Sequence, residues 1–293
     1  MFATSMYNRQ AVLPVEYSPS FITTIEEALG EDPEAYSPEV RLQYMAFLLA
    51  KTPDDADAYY ALKQSLFDQI DGLDEEDGAP LFFMLQNSLG RAIGQQHPGY
   101  YQELFELYEL QIKKGWVLEA HGRIRANLFK NIVTVGTTLN RLDWTRGFIK
   151  RYEPFLEEEE KDDSLNYALA MVHFEEADYD AVLKLLAPLS RKNIFFDLSI
   201  RRLMLKVFFE QNDEEGLFAH INSYRVFLHR LDKINEYFKA ANIAFLNILG
   251  ALARLYFAPS EAEKLEKLQD EINDLASLPE RFWLLAKIES LLK

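Results

Sequence analysis

Apolar residues in this chain recur three and four positions apart almost without interruption, and that spacing does most to limit the folds open to it. In Val40-Arg41-Leu42-Gln43-Tyr44-Met45-Ala46-Phe47-Leu48-Leu49 the period is that of one helix face. Tyr59, Leu62, Leu66 and Ile70 repeat it on a segment ending near Gly72, and residues 81–93 and 100–112 predict two further helices. Between these last two, Gly94-Gln95-Gln96-His97-Pro98-Gly99 has the Gly and Pro of a stop and restart. No stretch shows sustained two-residue alternation bounded by Asn-Gly or Asp-Gly, so strands have little support. With 12 Gly and 11 Pro in 293 residues, the tight turns of an all-β chain are also undersupplied. The expected class is all-α.

Sliding the sequence against itself aligns three segments at a shift of 35 residues, centred on Leu142-Asp143-Trp144, Ala177-Asp178-Tyr179 and Asn212-Asp213-Glu214. Four residues before the aspartates stand Leu139, Phe174 and Phe209; eight before, Val135, Ala170 and Leu205; five after, Phe148, Leu183 and Phe218. An aspartate between two helices can cap the second by accepting from its orphan N–H groups, and the helix dipole favours the charge there. Each unit is then expected to be an antiparallel helix pair that buries its open faces against its neighbours.

Phe174-Glu175-Glu176-Ala177-Asp178-Tyr179-Asp180-Ala181-Val182-Leu183 resembles the inter-helix turn of a tetratricopeptide repeat, with Ala170 as the small residue of the first helix and Tyr179 as the aromatic after the turn. Leu142-Asp143-Trp144 resembles the same turn, while Val182, Gly147 and Leu217 stand where that family usually has Ala. The run Lys130-Asn131-Ile132-Val133-Thr134-Val135-Gly136 with Leu142-Asp143-Trp144 is also similar to a group of uncharacterised bacterial helical-repeat proteins with longer N-termini. The resemblance implies an α-solenoid of stacked antiparallel helix pairs. The expected organisation is an acidic N-terminal helical region over 1–97, tetratricopeptide-like repeats over 98–230, and a helical C-terminal cap over 231–293. In the cap, residues 234–257 predict one long helix broken only by Gly250. Ser260 and Glu263 have capping-box spacing before Leu265, Leu268, Ile272 and Leu275, and a last helix carries Phe282, Trp283, Leu285 and Ile288.

The chain has no cysteine, which excludes disulfides, thiolate metal sites and thiol nucleophiles. It shows no signal-like run at its start and no stretch near 18 uncharged apolar residues, so a cytoplasmic protein with no membrane partner is expected. A net charge of −16 argues against nucleic acid as a partner. The balance reverses locally between Lys113 and Arg151, where an acidic partner face could be received.

Phosphate-binding glycine loops, H-E-x-x-H and G-x-S-x-G are all missing. His97 and His121 fall in expected loops, and His220 and His229, nine apart on one helix, project to opposite sides. His173 and Glu176 sit one turn apart, a spacing that could give two metal ligands, though His173 reads first as lining the stack and Glu176 as solvated. Glu157 to Glu160, with Lys161-Asp162-Asp163, reads as a solvated loop. Trp116, Trp144 and Trp283 read as core. No cofactor, no metal and no catalytic residue are expected.

What remains is an interaction surface. In the tetratricopeptide family the first helices of successive pairs line a concave face, and projection onto this sequence places Asn140, Tyr167, Met171, Arg202 and Lys206 there. Tyr167 and Met171 supply adaptable apolar contact, and Arg202 with Lys206 could meet a carboxylate. The expected function is a non-catalytic scaffold or adaptor that holds a protein or peptide. The alternatives are a small-molecule or metal-dependent enzyme in a helical-bundle pocket, or a peptide-sensing regulator.

Overall fold

A computed structural model describes residues 37–90, 97, 99–119, 121–189, 193–231, 235–258 and 262–293. Most of the Gly94–Gly99 linker, and Ser260 of the capping box, lie outside them. Among the described residues the secondary structure is entirely helical, with thirteen α-helices and no strand. The chain divides into two compact units, up to Gly122 and from Arg123.

The first unit holds α1 (Pro38–Lys51), α2 (Ala56–Gln69), α3 (Glu75–Leu89) and α4 (Tyr100–Lys114). Asp55 and Asp74 start α2 and α3 by accepting from the Ala58 and Asp77 amides. α4 stops where Gly115 turns left-handed at φ 80°, which lets the Trp116 amide donate back to the Gln111 carbonyl. That fold-back lays the Trp116 indole against Gly78 of α3, where a Cβ would come within 2.3 Å of the ring. Buried Gln111 is satisfied on both sides: its Nε2 donates to the Trp116 carbonyl and its Oε1 accepts from Gln86. Gly78→Ala therefore has to displace a buried indole, and a loss of about 1–3 kcal/mol in urea unfolding is expected.

The second unit holds α5 (Ala126–Thr138), α6 (Leu142–Tyr152), α7 (Glu158–Glu175), α8 (Tyr179–Leu186), α9 (Ile194–Glu210), α10 (Glu214–Arg230), α11 (Glu236–Phe257), α12 (Ala262–Asp274) and α13 (Arg281–Leu292). Three of its turns are alike. Asn140, Ala177 and Asn212 take φ of 53°, 59° and 57° after α5, α7 and α9. The next amide donates back over the turn each time: Arg141 to Gly136, Asp178 to His173 and Asp213 to Phe208. Each turn reverses the chain, and the two helices it joins pack on one another.

The turns correct the sequence alignment. They lie 37 and then 35 residues apart, so the first unit of the repeat is two residues out of the expected register. Asp178 and Asp213 cap α8 and α10, accepting from the Ala181 and Gly216 amides. Asp143 caps nothing; it lies inside α6, whose preceding residue is Arg141. The reason is local, since Asn adopts the left-handed conformation more readily than most residues and Asn140 closes α5 ahead of the aspartate. In the corrected register the columns Val133/Ala170/Leu205, Val135/Val172/Val207 and Ile149/Leu186/Ile221 are buried throughout. The small-residue place expected at Gly147 belongs to fully buried Thr145, which contacts Gly136 where α5 and α6 approach closely.

Two other expectations change. Glu158, Glu159 and Glu160 form the first turn of α7, with Glu157 preceding it, rather than a loop; carboxylates are favoured at that end of a helix dipole. α11 is long and apolar enough to cross a membrane by length and composition. Half of its most apolar window is buried, in a core it shares with α9, α10, α12 and α13.

Asp178→Ala and Asp213→Ala should each lower unfolding free energy by about 1 kcal/mol, while Asp143→Ala changes it by less than about 0.5 kcal/mol. Ala177→Gly removes the only alanine at a positive φ among the described residues and should stabilise by about 1 kcal/mol. Equal losses at the three aspartates would restore the 35-residue register.

Candidate functional site

In the corrected register, equivalent positions on the first helices come together on one face. Lys130, Tyr167 and Arg202 form one row across α5, α7 and α9; Thr134, Met171 and Lys206 form the next. Side chains of these helices touch: Thr134 Oγ1 of α5 lies 3.7 Å from Met171 Sδ of α7, and the Tyr167 ring of α7 lies 5.2 Å from that of Phe196 of α9. Lys130 Nζ and Arg202 Nη2 both donate to Ser199 Oγ, at 3.4 and 3.2 Å. The Ser199 hydroxyl in turn donates to the Phe195 carbonyl. Of the predicted site residues, Tyr167, Met171, Arg202 and Lys206 are therefore neighbours. Asn140 is not among them, because it is the exposed left-handed residue of a turn.

Next to these rows a cavity of about 310 Å³ opens between α5, α7 and α9. Asn127 and Lys130 line it from α5, Glu159, Glu160, Asp163 and Ser164 from α7, and Asn193 and Phe196 from the start of α9. Asn193 is fixed by its own task, since its side chain accepts from the Phe196 amide and caps α9. Lys130 is the unusual member. Its one hydrogen-bond partner among the described residues is the Ser199 hydroxyl. Burial, and secondarily the Arg202 guanidinium, push its amine down to about 8.

That depression carries a sign. A lysine whose folded value lies below its unfolded value weakens the fold while it is protonated in the unfolded chain but reluctant to be in the folded one. Lys130→Met should therefore stabilise the protein by roughly 1–2 kcal/mol at pH 7, after allowing for partial solvent access. The gain should fade between about pH 8 and 10.5 as wild type recovers. Unfolding midpoints measured across that range check both the sign and the window.

Arg202 and Lys206 face a carboxylate already. Glu280, the residue before α13, takes φ 58° and sets its Oε1 3.3 Å from Arg202 Nε and its Oε2 3.1 Å from Lys206 Nζ. Arg202 also donates to Asn242 of α11, whose Oδ1 accepts from the buried Tyr224 hydroxyl as well. Lys206 lies over the Phe174 ring at 4.5 Å. Burial would raise the Glu280 carboxyl, but Lys206 and Arg202 outweigh it and hold it below its ordinary value. The carboxylate expected from a partner is thus supplied by the chain itself.

Glu280→Gln leaves two partly buried cations without their counter-charge and should cost about 1–3 kcal/mol at pH 7. Because the folded carboxyl is depressed, that stability is present above the unfolded value of about 4.3 and is lost as pH falls through the folded one. Wild type and variant should therefore converge in acid.

Sequence reasoning missed Lys130, Phe196, the α7 carboxylates and Glu280. Lys130 becomes visible once the 37-residue spacing is known, because it is then the equivalent of Tyr167. No local signal marks Glu280, which reaches Arg202 across 78 positions and depends on a left-handed backbone. His173 has Glu176 and Asp178 carboxylates at 3.5 and 3.8 Å. Among the described residues, however, no group of three or more His, Cys, Asp or Glu is placed to hold a metal. Arg146 pairs with Glu176 from the neighbouring turn. No family model, no curated protein and no solved structure matches this chain.

Proposed function

We propose that the second unit is a peptide-binding module of a non-catalytic scaffold, built as a short solenoid of tetratricopeptide-like pairs. Its binding face is the one lined by α5, α7 and α9. The observation that carries this is Lys130, a cation kept in the wall of the cavity against its own solvation preference, with a hydroxyl as its hydrogen-bond partner. Such a group weakens the fold, and residues that do so are expected where binding needs them. A lysine with donors to spare can meet a backbone carbonyl or a carboxylate of a bound segment. Half-buried Met171 and Phe196 beside it offer apolar contact of the adaptable kind, while Tyr167 is buried in the core beneath them.

Arg202, Lys206 and Glu280 have a different part in this reading. They tie the last segment of the unit to α9 and hold the rows of the face in register, while Lys130, Phe196 and the α7 carboxylates meet the guest. Asn140 stays outside the face as a turn residue.

The test is selection of displayed peptides on the intact chain, followed by affinity measurement against groove variants. Lys130→Glu combined with Phe196→Ala should weaken the selected peptides by at least roughly tenfold, with unchanged helical circular dichroism. Failure to enrich any peptide, or equal binding to the double variant, contradicts the proposal.

A further inference from the structure

A second cavity, of about 220 Å³, lies away from this face, between α10 and α11. Phe218, Ile221, Asn222 and Arg225 line it from α10, at positions that share one helix face. Leu246, Asn247, Gly250 and Arg254 line it from α11 in the same way. Three observations there need a common cause.

First, the chain carries 47 acidic residues against 31 Lys and Arg, yet among the described residues neither Arg225 nor Arg254 is in an ion pair. Other arginines, such as Arg151 and Arg230, also lack a carboxylate partner among the described residues; what sets this pair apart is that both border one cavity. Second, the other polar side chains in the lining are the amides of Asn222 and Asn247, so no carboxylate competes for the guanidiniums. Arg254 is also steadied over the Phe218 ring, 5.8 Å from its centroid.

Third, Gly250 sits in the middle of a 22-residue helix. Helix packing does not require a glycine there: a Cβ would meet nothing nearer than Arg254 Nη1 at 3.9 Å, an ordinary contact. An interior glycine weakens a helix relative to alanine, and here the missing side chain leaves the cavity floor open between the two arginines. By contrast, Gly78 and Gly136 are required by close neighbours at 2.3 and 2.2 Å.

We propose that this cavity is a binding site for a small oxyanion, a carboxylate or a phosphate, held between Arg225 and Arg254 with Asn222 and Asn247 as further donors over the Gly250 floor. The volume accommodates such a group with room around it. Guanidinium forks match planar and tetrahedral oxyanions alike, so both sources share the chemistry. The site is independent of the peptide face and stands if that face binds nothing.

Isothermal titration of the intact chain with inorganic phosphate and, separately, with acetate at low ionic strength tests it. At least one of the two should bind with millimolar or tighter affinity, and the better binder identifies the source. Arg225→Gln with Arg254→Gln should weaken that binding by at least roughly tenfold. Gly250→Leu, which fills the floor, should abolish it while leaving the thermal midpoint at or above that of wild type. Absence of binding by both anions overturns the proposal, as does equal binding to the arginine double variant. Retention of binding by a folded Gly250→Leu protein overturns it too.

Discussion

The second unit depends on one backbone event repeated three times: a helix stopped by a single left-handed residue, with the next amide folded back over the turn. Asn140, Ala177 and Asn212 each do this, and the same short connection follows. That connection fixes how α6, α8 and α10 start against α5, α7 and α9, and it marks the equivalent residues of the three pairs. Counted from it, Lys130/Tyr167/Arg202 and Thr134/Met171/Lys206 form rows. Apolar burial supplies most of the stabilisation, and the buried columns hold each helix in one rotation.

Electrostatics then divides the face into parts with different tasks. At one end Arg202 and Lys206 are neutralised by Glu280, so that segment is closed upon itself and contributes order. At the other end Lys130 shares only a hydroxyl, beside carboxylates of α7 that line the same cavity. Identical residue types therefore differ in role by what reaches them. Neutralised cations hold structure, and in the proposed reading Lys130 keeps its spare donors for a guest.

Much of the fold was legible because helical period is a local property. The helices at 40–49, 59–70 and 100–112, the repeated pairs and the amphipathic α12 all follow from spacing alone. The aspartate column was two-thirds right, since Asp178 and Asp213 cap helices. It failed at Asp143 because Asn140 offered the chain an easier left-handed position first. A charge run lacks apolar period, so spacing alone predicts a loop at the acidic start of α7, where the helix dipole in fact favours carboxylates. The candidate site was half legible. Rows on one face could be projected from the repeat, whereas Glu280 depends on a contact between distant segments. The spare capacity of Lys130 depends on burial, which residue spacing does not encode.

The central claim is that α5 and α7 set their equivalent positions side by side. Since the chain lacks cysteine, a single engineered pair reports on it cleanly. Thr134→Cys with Met171→Cys replaces two side chains in contact at 3.7 Å. A short bis-maleimide should bridge the two thiols within the folded monomer with helicity retained, and should bridge a pair of Asn140→Cys with Met171→Cys far less. Free thiols or only intermolecular bridges in the first pair would contradict the account.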